Sequence, residues 1–325
     1  MSRLLGRMVV GTMPLMPRFV IKWVSRRYVA GAKISEAVAV MKKLSSEGAC
    51  FTVDVLGEEI TNLDEAEFFI KEYHNLVDAI IAEDLDANLS IKPTAFGLLI
   101  DRDKGLQNIQ ELLVKAKDSG IFVRLDMEDH RATDDTIEVC LAMHEKGLTN
   151  IGVVLQGRLF RTLEDIRNIC NKLGPAADFR ICKGIYLEPD NIAHTQYRPI
   201  IDATNECLDL MLQSSSYVGI ATHDVPIIKH ALASLEKQKM GPRLEDPREN
   251  PPAKRRGKGP GYEFQMLLGV RGDLRRKLHK DGHRTRIYIP YGERWYEYSM
   301  RRLRENPTVA WHVAKTFLMP WKNRR

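Results

Sequence analysis

Apolar positions along this 325-residue chain follow two alternating rhythms. Short runs rich in β-branched and aromatic residues recur at 50–57, 88–93, 122–128, 150–156, 179–184, 218–223, 261–268 and 284–291, and each predicts a strand. Between most of them lie roughly 22 to 38 residues, enough for one helix and two loops. Stretches such as 108–118 (NIQELLVKAKD) carry apolar residues at i, i+3 and i+4, the helical period. Runs such as NIGVVLQ and VGIATH are apolar on both faces until the last residue or two, as strands covered on both sides are. Eight such alternations predict an α/β fold, a (β/α)8 barrel of the TIM type, with a doubly wound sheet as the alternative.

Three segments follow from this rhythm. Residues 1–48 alternate apolar runs with Arg7, Arg18 and Lys22, which predicts amphipathic helices packed on the barrel. A signal peptide needs an uninterrupted apolar core, and this segment has none. Residues 49–306 form the barrel, and 307–325 a tail. The Pro-, Gly- and charge-rich stretch 237–261 predicts an extended, mobile loop between the sixth helix and the seventh strand. Such a loop emerges at the N-terminal face of a barrel, away from the catalytic mouth.

Composition narrows the class. Apolar residues make up 44% of the chain and charged residues 28%, so a large core is available. A net charge of +6 suits an anionic substrate, a phosphate-bearing cofactor or an acidic membrane surface. No motif points to nucleic acid. Five scattered cysteines with no C-x-x-C predict reduced thiols in a cytoplasmic protein, with peripheral contact at the inner face of the cell membrane as an added option. No H-E-x-x-H, nucleophile elbow or P-loop is present, so metal-dependent, acyl-transfer and nucleotide-hydrolysis readings have no support.

In a (β/α)8 enzyme the working residues gather at the C-terminal ends of the strands. Here those ends read LGE (Glu58), SIKPT (Lys92, Thr94), RLDMEDH (Asp126, Glu128, His130), VVLQ (Gln156), RICKG (Arg180, Lys183), ATHD (Thr222, His223, Asp224), EFQML (Glu263, Gln265) and RIYIPYG (Tyr288, Tyr291). Buried strand ends seldom carry so many polar groups unless these are paired or bind a ligand. After the last strand comes ERWYEYSMRRLREN. On a helix Arg301 and Arg302 point about 100° apart, so they can grip one small anion from two sides. Glu305, four residues after Arg301, can hold that guanidinium in place.

The ordered set LGE, SIKPT, LDME, VVLQ, RICKG-YLE, ATH, EFQML and RIYIPYG…YSMRRLRE resembles the proline dehydrogenases, which occur as single-domain bacterial enzymes and as the barrel domain of proline utilisation proteins. The resemblance runs over roughly residues 27 to 306. It implies a distorted barrel whose last helix lies over the strand ends, with noncovalent FAD across the mouth. Arg301, Arg302 and Lys92 would bind the proline carboxylate. Asp126 would hydrogen-bond Tyr288, and Tyr298 and Leu267 would pack on the pyrrolidine ring. Gln156, Arg180, Lys183, Thr222 and His223 would hold the flavin, with backbone at Met127, Gly184 and Ile185. Arg180 would lie near flavin N5, and Glu58 would pair with Arg301 as a gate. The implied reaction takes a hydride from L-proline to FAD N5, gives Δ1-pyrroline-5-carboxylate and passes electrons to a quinone, the first step of proline breakdown to glutamate.

The chain departs from the family pattern in three places. Ile185 stands where the family usually has Ala, Pro93-Thr94 where it has Leu-Thr, and the 237–261 stretch is long. Ile185 leaves open a dehydrogenase of hydroxyproline or another cyclic imino acid. A catalytically silent barrel is a further alternative, against which Lys92, Asp126, Arg180, Arg301 and Arg302 all argue.

Overall fold

The computed structural model describes residues 21–22, 25–57, 60–252 and 258–305, with the backbone alone for 301–305. Eight strands follow in order: β1 (Cys50–Val55), β2 (Ala87–Ile91), β3 (Val123–Leu125), β4 (Ile151–Gln156), β5 (Asp178–Cys182), β6 (Tyr217–Ala221), β7 (Tyr262–Leu267) and β8 (Thr285–Tyr291). They pair in chain order, all parallel, and β1 closes the barrel on β8. Helix α1 (Ile34–Ser45) precedes β1. The strands are linked by α2 (Leu63–Ala82), α3 (Arg102–Asp118), α4 (Thr133–Glu145), α5 (Thr162–Leu173), α6 (Tyr197–Gln213), α7 (Val225–Lys237) and α8 (Gly272–Lys280), and α9 (Trp295–Glu305) follows β8.

Strand alternation sorts the side chains into two populations. Phe51, Val53, Leu89, Ile91, Val123, Leu125, Phe179 and Ile181 point outward into one apolar core shared with helix residues such as Phe69, Leu112 and Met143. The alternate positions point into the barrel and are mostly polar, because Thr52, Ser90, Asp126, Arg180, Gln265 and Tyr288, from six different strands or their ends, hydrogen-bond to one another. The expectation of strands apolar on both faces therefore holds for β4 and β6 but not for the rest. In those two strands small residues make room. A Cβ on Gly152 would come 2.6 Å from Arg124 Nη1.

Six strands end one to three residues earlier than their sequence predicts, β2, β3 and β5 among them. Pro93, with no N–H to give the ladder, opens a 3-10 turn (Pro93–Phe96) after β2. β3 stops at Leu125, although Asp126 still donates its N–H to Ile91 O at 2.8 Å. β5 stops at Cys182, ahead of Gly184 with its φ of +96°.

The 237–261 stretch passes beneath the N-terminal end of the barrel, and Arg248 and Lys258 tie parts of it down. Arg248 pairs with Asp246 and donates to Leu212 O and Ser216 O at 2.9 and 3.0 Å. Lys258 enters the barrel floor, pairs with Asp178, and lies 3.6 and 4.1 Å from the Phe122 and Tyr217 ring centroids. Composition predicts an extended, mobile loop here, and these two charges find partners at the floor.

Candidate active site

The C-terminal ends of the strands carry a connected set of side chains. Lys92, directly after β2, is 5% exposed and puts Nζ 2.6 Å from Asp54 Oδ1 in β1. Asp54 is fully buried, and among the described residues its Oδ2 has no hydrogen bond of ordinary geometry. Burial pushes the Asp54 carboxyl up, against the opposing pull of the Lys92 ammonium. Two layers meet at Asp126, beside this pair. Its Oδ1 accepts from Arg180 Nη1 at 2.7 Å and from Ser90 Oγ at 2.6 Å, and its Oδ2 accepts from Tyr288 OH at 2.7 Å. Burial, reinforced by Asp126, pushes the Tyr288 phenol well above its ordinary range, so it stays protonated and donating. The Arg180 guanidinium lies 5.5 Å from the Tyr288 ring centroid.

A second group surrounds the ends of β4, β5 and β6. Gln156 is 2% exposed; its Nε2 donates to Glu128 O at 2.9 Å while Oε1 is buried without a partner. Met127 is buried next to it in sequence, and Glu128 is fixed by Thr94 N–H and Oγ. Gly184 is needed for space as well as for its positive φ, since a Cβ would stand 2.6 Å from Gln156 Oε1. Lys183 Nζ meets Asp224 Oδ2 at 2.8 Å, and Tyr197 OH donates to Asp224 Oδ1 at 2.9 Å. Asp224 is the N-cap of α7, yet its carboxylate makes no cap bond. It is given over to Lys183 instead. Thr222 Oγ1 accepts from Asp224 N–H at 3.0 Å.

His223 has its tautomer decided by its surroundings. Its Nε2 accepts the Leu267 backbone N–H at 3.0 Å, so in the neutral ring the proton is on Nδ1. Burial, then Arg271 and Lys183, lower its pKa to about 4, which keeps the ring neutral. Leu267, at the end of β7, and Ile185, after β5, are 40% and 37% exposed. Tyr298 of α9 packs on Leu56 and Val29, so the last helix crosses the strand ends.

Lys92, Asp126, Arg180 and Tyr288 are thus brought together, and Gln156, Lys183, Gly184, Thr222, His223 and Leu267 line adjoining strand ends. Arg301, Arg302 and Glu305 fall on α9, but their side chains lie outside the described residues, and Glu58 lies outside them altogether. Two members were missed from sequence. Asp54 shares a strand face with Thr52 in CFTVDV, a period-two signal that was available. Glu188, which ends the YLE motif but was given no role there, accepts from His130 N–H at 3.1 Å and meets its Nδ1 at 2.6 Å, joining the loops after β3 and β5.

A sequence profile of the family described as Proline dehydrogenase matches residues 37–315. Proline dehydrogenase 1 of Bacillus subtilis subsp. natto is 34% identical over 297 residues, covering 90% of each chain. The proline dehydrogenase of Deinococcus radiodurans is 33% identical over 298 residues, again 90% of each. Among solved structures, proline utilization A from Bdellovibrio bacteriovorus, inactivated by N-propargylglycine, superposes with a TM-score of 0.76 at 22% identity over 88% of this chain. A mutant of the Bradyrhizobium japonicum protein gives 0.67 at 19% identity. The chain spans about a third of the length of those two proteins, 33% and 30%, and the likeness to them speaks to the fold.

Proposed function

The chain belongs to the proline dehydrogenase family, and from that premise we propose that it oxidises L-proline to Δ1-pyrroline-5-carboxylate with FAD as cofactor and a quinone as final acceptor. One observation carries the reading: Asp126, Arg180 and Tyr288 converge at the barrel mouth as a hydrogen-bonded set, beside the buried Lys92–Asp54 pair. The residues at the mouth also fit a flavin. Among the described residues Gln156 Oε1 is a buried acceptor left unmet, and neutral His223 keeps an Nδ1–H to give. Bound FAD supplies the two-electron acceptor for hydride from the carbon beside the ring nitrogen.

The chain's own residues do the rest. Lys92, with Arg301 and Arg302, binds the substrate carboxylate by charge-assisted hydrogen bonds and so fixes the ring's position. Asp126 holds Tyr288 and Arg180 in one geometry, which shapes the pocket without reorganisation during reaction. Leu267 and Tyr298 supply apolar walls. In this reading Glu58 would pair with Arg301 as a gate, and Glu305 would steady the same arginine. The test is dye reduction by the purified protein on proline and a panel of cyclic imino acids, with a flavin spectrum recorded beside it. No reduction with any of them refutes the reading. Within it, Arg301→Met and Arg302→Met each lose about 2–4 kcal/mol of carboxylate binding, read as a large rise in KM. An unchanged KM in both removes the clamp.

Delivery to a quinone implies contact with a membrane surface, which the basic charge favours. Among the described residues no helix is long and apolar enough to cross a membrane. Binding to anionic vesicles is expected to be salt-sensitive in co-sedimentation, and no binding at low salt refutes that part.

A further inference from the structure

Gln265 lies on the lumen face of β7, 5% exposed, between two charged layers. Its amide can stand only one way round. Oε1 accepts from Arg180 Nε at 2.5 Å, and Nε2 donates to Glu263 Oε1 at 2.6 Å. A flipped amide would set N–H against guanidinium and oxygen against carboxylate, turning both contacts repulsive. Glu263 is itself fixed by Arg286 Nε at 2.6 Å, Arg286 Nη2 at 3.0 Å and Tyr217 OH at 3.0 Å. Burial would raise its carboxyl, but Arg286 outweighs burial and brings it down to about 2, so the anchor is ionised.

The neighbouring strand is shaped around this amide. A Cβ on Gly219 in β6 would fall inside contact distance of Gln265 Nε2 and 2.8 Å from its Cδ. Gly219 is not among the positive-φ residues, so space rather than backbone calls for glycine there. We infer that Gln265 is a positioning residue for Arg180, transmitting the fixed geometry of the Glu263–Arg286 pair to the guanidinium at the mouth. Asp126 and Ser90 both hold Nη1, on one edge of the fork. Nη2 makes only a long contact, 3.5 Å to Thr52 Oγ1, so the short contact to Nε is the one that sets the plane. With it, the guanidinium can neither swing about its outer bonds nor leave Asp126.

The inference rests on the function proposed above, and the test keeps the two apart. Steady-state constants for proline with a dye acceptor are compared in wild type, Gln265→Met, Gly219→Ala, Arg180→Met and the Gln265→Met/Arg180→Met double variant. Gln265→Met keeps the volume and removes the acceptor, whereas Gly219→Ala keeps Gln265 and displaces it. Each should lower kcat by about 10- to 100-fold, the cost of misplacing a group by about an ångström. KM should stay within a few-fold, because the carboxylate contacts are elsewhere. The double variant should be no slower than Arg180→Met alone, since Gln265 acts through Arg180. A readout independent of turnover is the Arg180 Nε–H resonance, identified by its loss in Arg180→Met. Its solvent exchange should be slow in wild type and at least about tenfold faster in Gln265→Met. Unchanged kcat in Gln265→Met and Gly219→Ala beside a slow Arg180→Met overturns the inference and leaves the proposed function standing. An additive loss in the double variant also overturns it. Full activity in Arg180→Met instead sinks the proposed function. If Gln265→Met does not fold, Gly219→Ala and its double with Arg180→Met carry the same comparison.

Discussion

The two ends of this barrel hold buried ion pairs of similar kind, and they treat them differently. At the floor Asp178 takes both Arg124 and Lys258, and Glu263 takes Arg286. None of those five side chains has a buried nitrogen or oxygen without a partner. At the mouth Asp54 takes Lys92, but among the described residues Asp54 Oδ2 and Gln156 Oε1 remain unmet. A buried unmet acceptor costs about 1–3 kcal/mol, which a bound ligand can recover. The floor pairs are therefore closed electrostatics that supports a shape, and the mouth pair is open electrostatics that a ligand can complete. Arg180 and Gln265 join the two.

The largest expected effect falls on the floor. Arg286→Met leaves the Glu263 carboxylate buried with its main counter-charge gone, which should cost about 3–5 kcal/mol in chemical denaturation. The Phe51 carbonyl loses its Arg286 donor as well. A loss below about 1 kcal/mol would show that the floor pair is ornamental and break the comparison.

Next in size is Lys92→Met at the mouth. There the main loss should be in substrate binding, about 1.5–3 kcal/mol, or roughly a 10- to 150-fold rise in KM for proline. Asp54, already pushed up by burial, takes on a proton when its partner is removed. If Lys92→Met instead lowered stability and left KM alone, Lys92 would belong with the floor residues.

Much of this was readable from sequence, and the limit has a physical form. Strand positions were readable because turn residues and helical spacing bracket each run. The inward set at 52/54, 90/92, 124/126, 178/180 and 263/265 was also open to reading, since polar residues two apart share a face. What pairs with what was not. Lys92 and Asp54 come from adjacent strands, but Arg180 reaches Gln265, Asp126 and Ser90 across the lumen, which no local pattern encodes. Lys258 was the least readable of all. Its neighbours are Pro, Gly and charge, the signature of a solvated loop, yet it is buried against Asp178 from 80 residues away.

A pH experiment sharpens the same contrast at smaller scale. His223 binds a proton at about 6.5 when unfolded and at about 4 when folded. Between those values the unfolded chain holds more protons, so stability rises with pH and is lost as pH falls from 6.5 toward 4. Allowing for partial exposure, the loss should be about 1–2 kcal/mol. His223→Asn should flatten that window in denaturation midpoints measured from pH 7 to 4. Equal slopes in both proteins would mean that His223 is not held neutral.

The smallest effect is expected at Ile185, where the mouth is least packed. An added side chain in a filled pocket costs about 1–3 kcal/mol, because neighbours must leave their rotamers. Ile185 is 37% exposed and next but one to Leu187, which is 87% exposed, so little around it resists displacement. Its bulk should therefore act on the incoming ring rather than on the protein. A ring hydroxyl brought against it loses water without gaining a hydrogen bond, a penalty that partial exposure holds to about 1 kcal/mol. The wild type should then favour proline over trans-4-hydroxyproline, and Ile185→Ala should narrow the ratio of kcat/KM values by roughly fivefold with no change in melting temperature. A wild type that prefers hydroxyproline, or a ratio that Ile185→Ala leaves unmoved, would mean that the side chain faces solvent and that ring selectivity is set deeper in the barrel, by Leu267 and Tyr298.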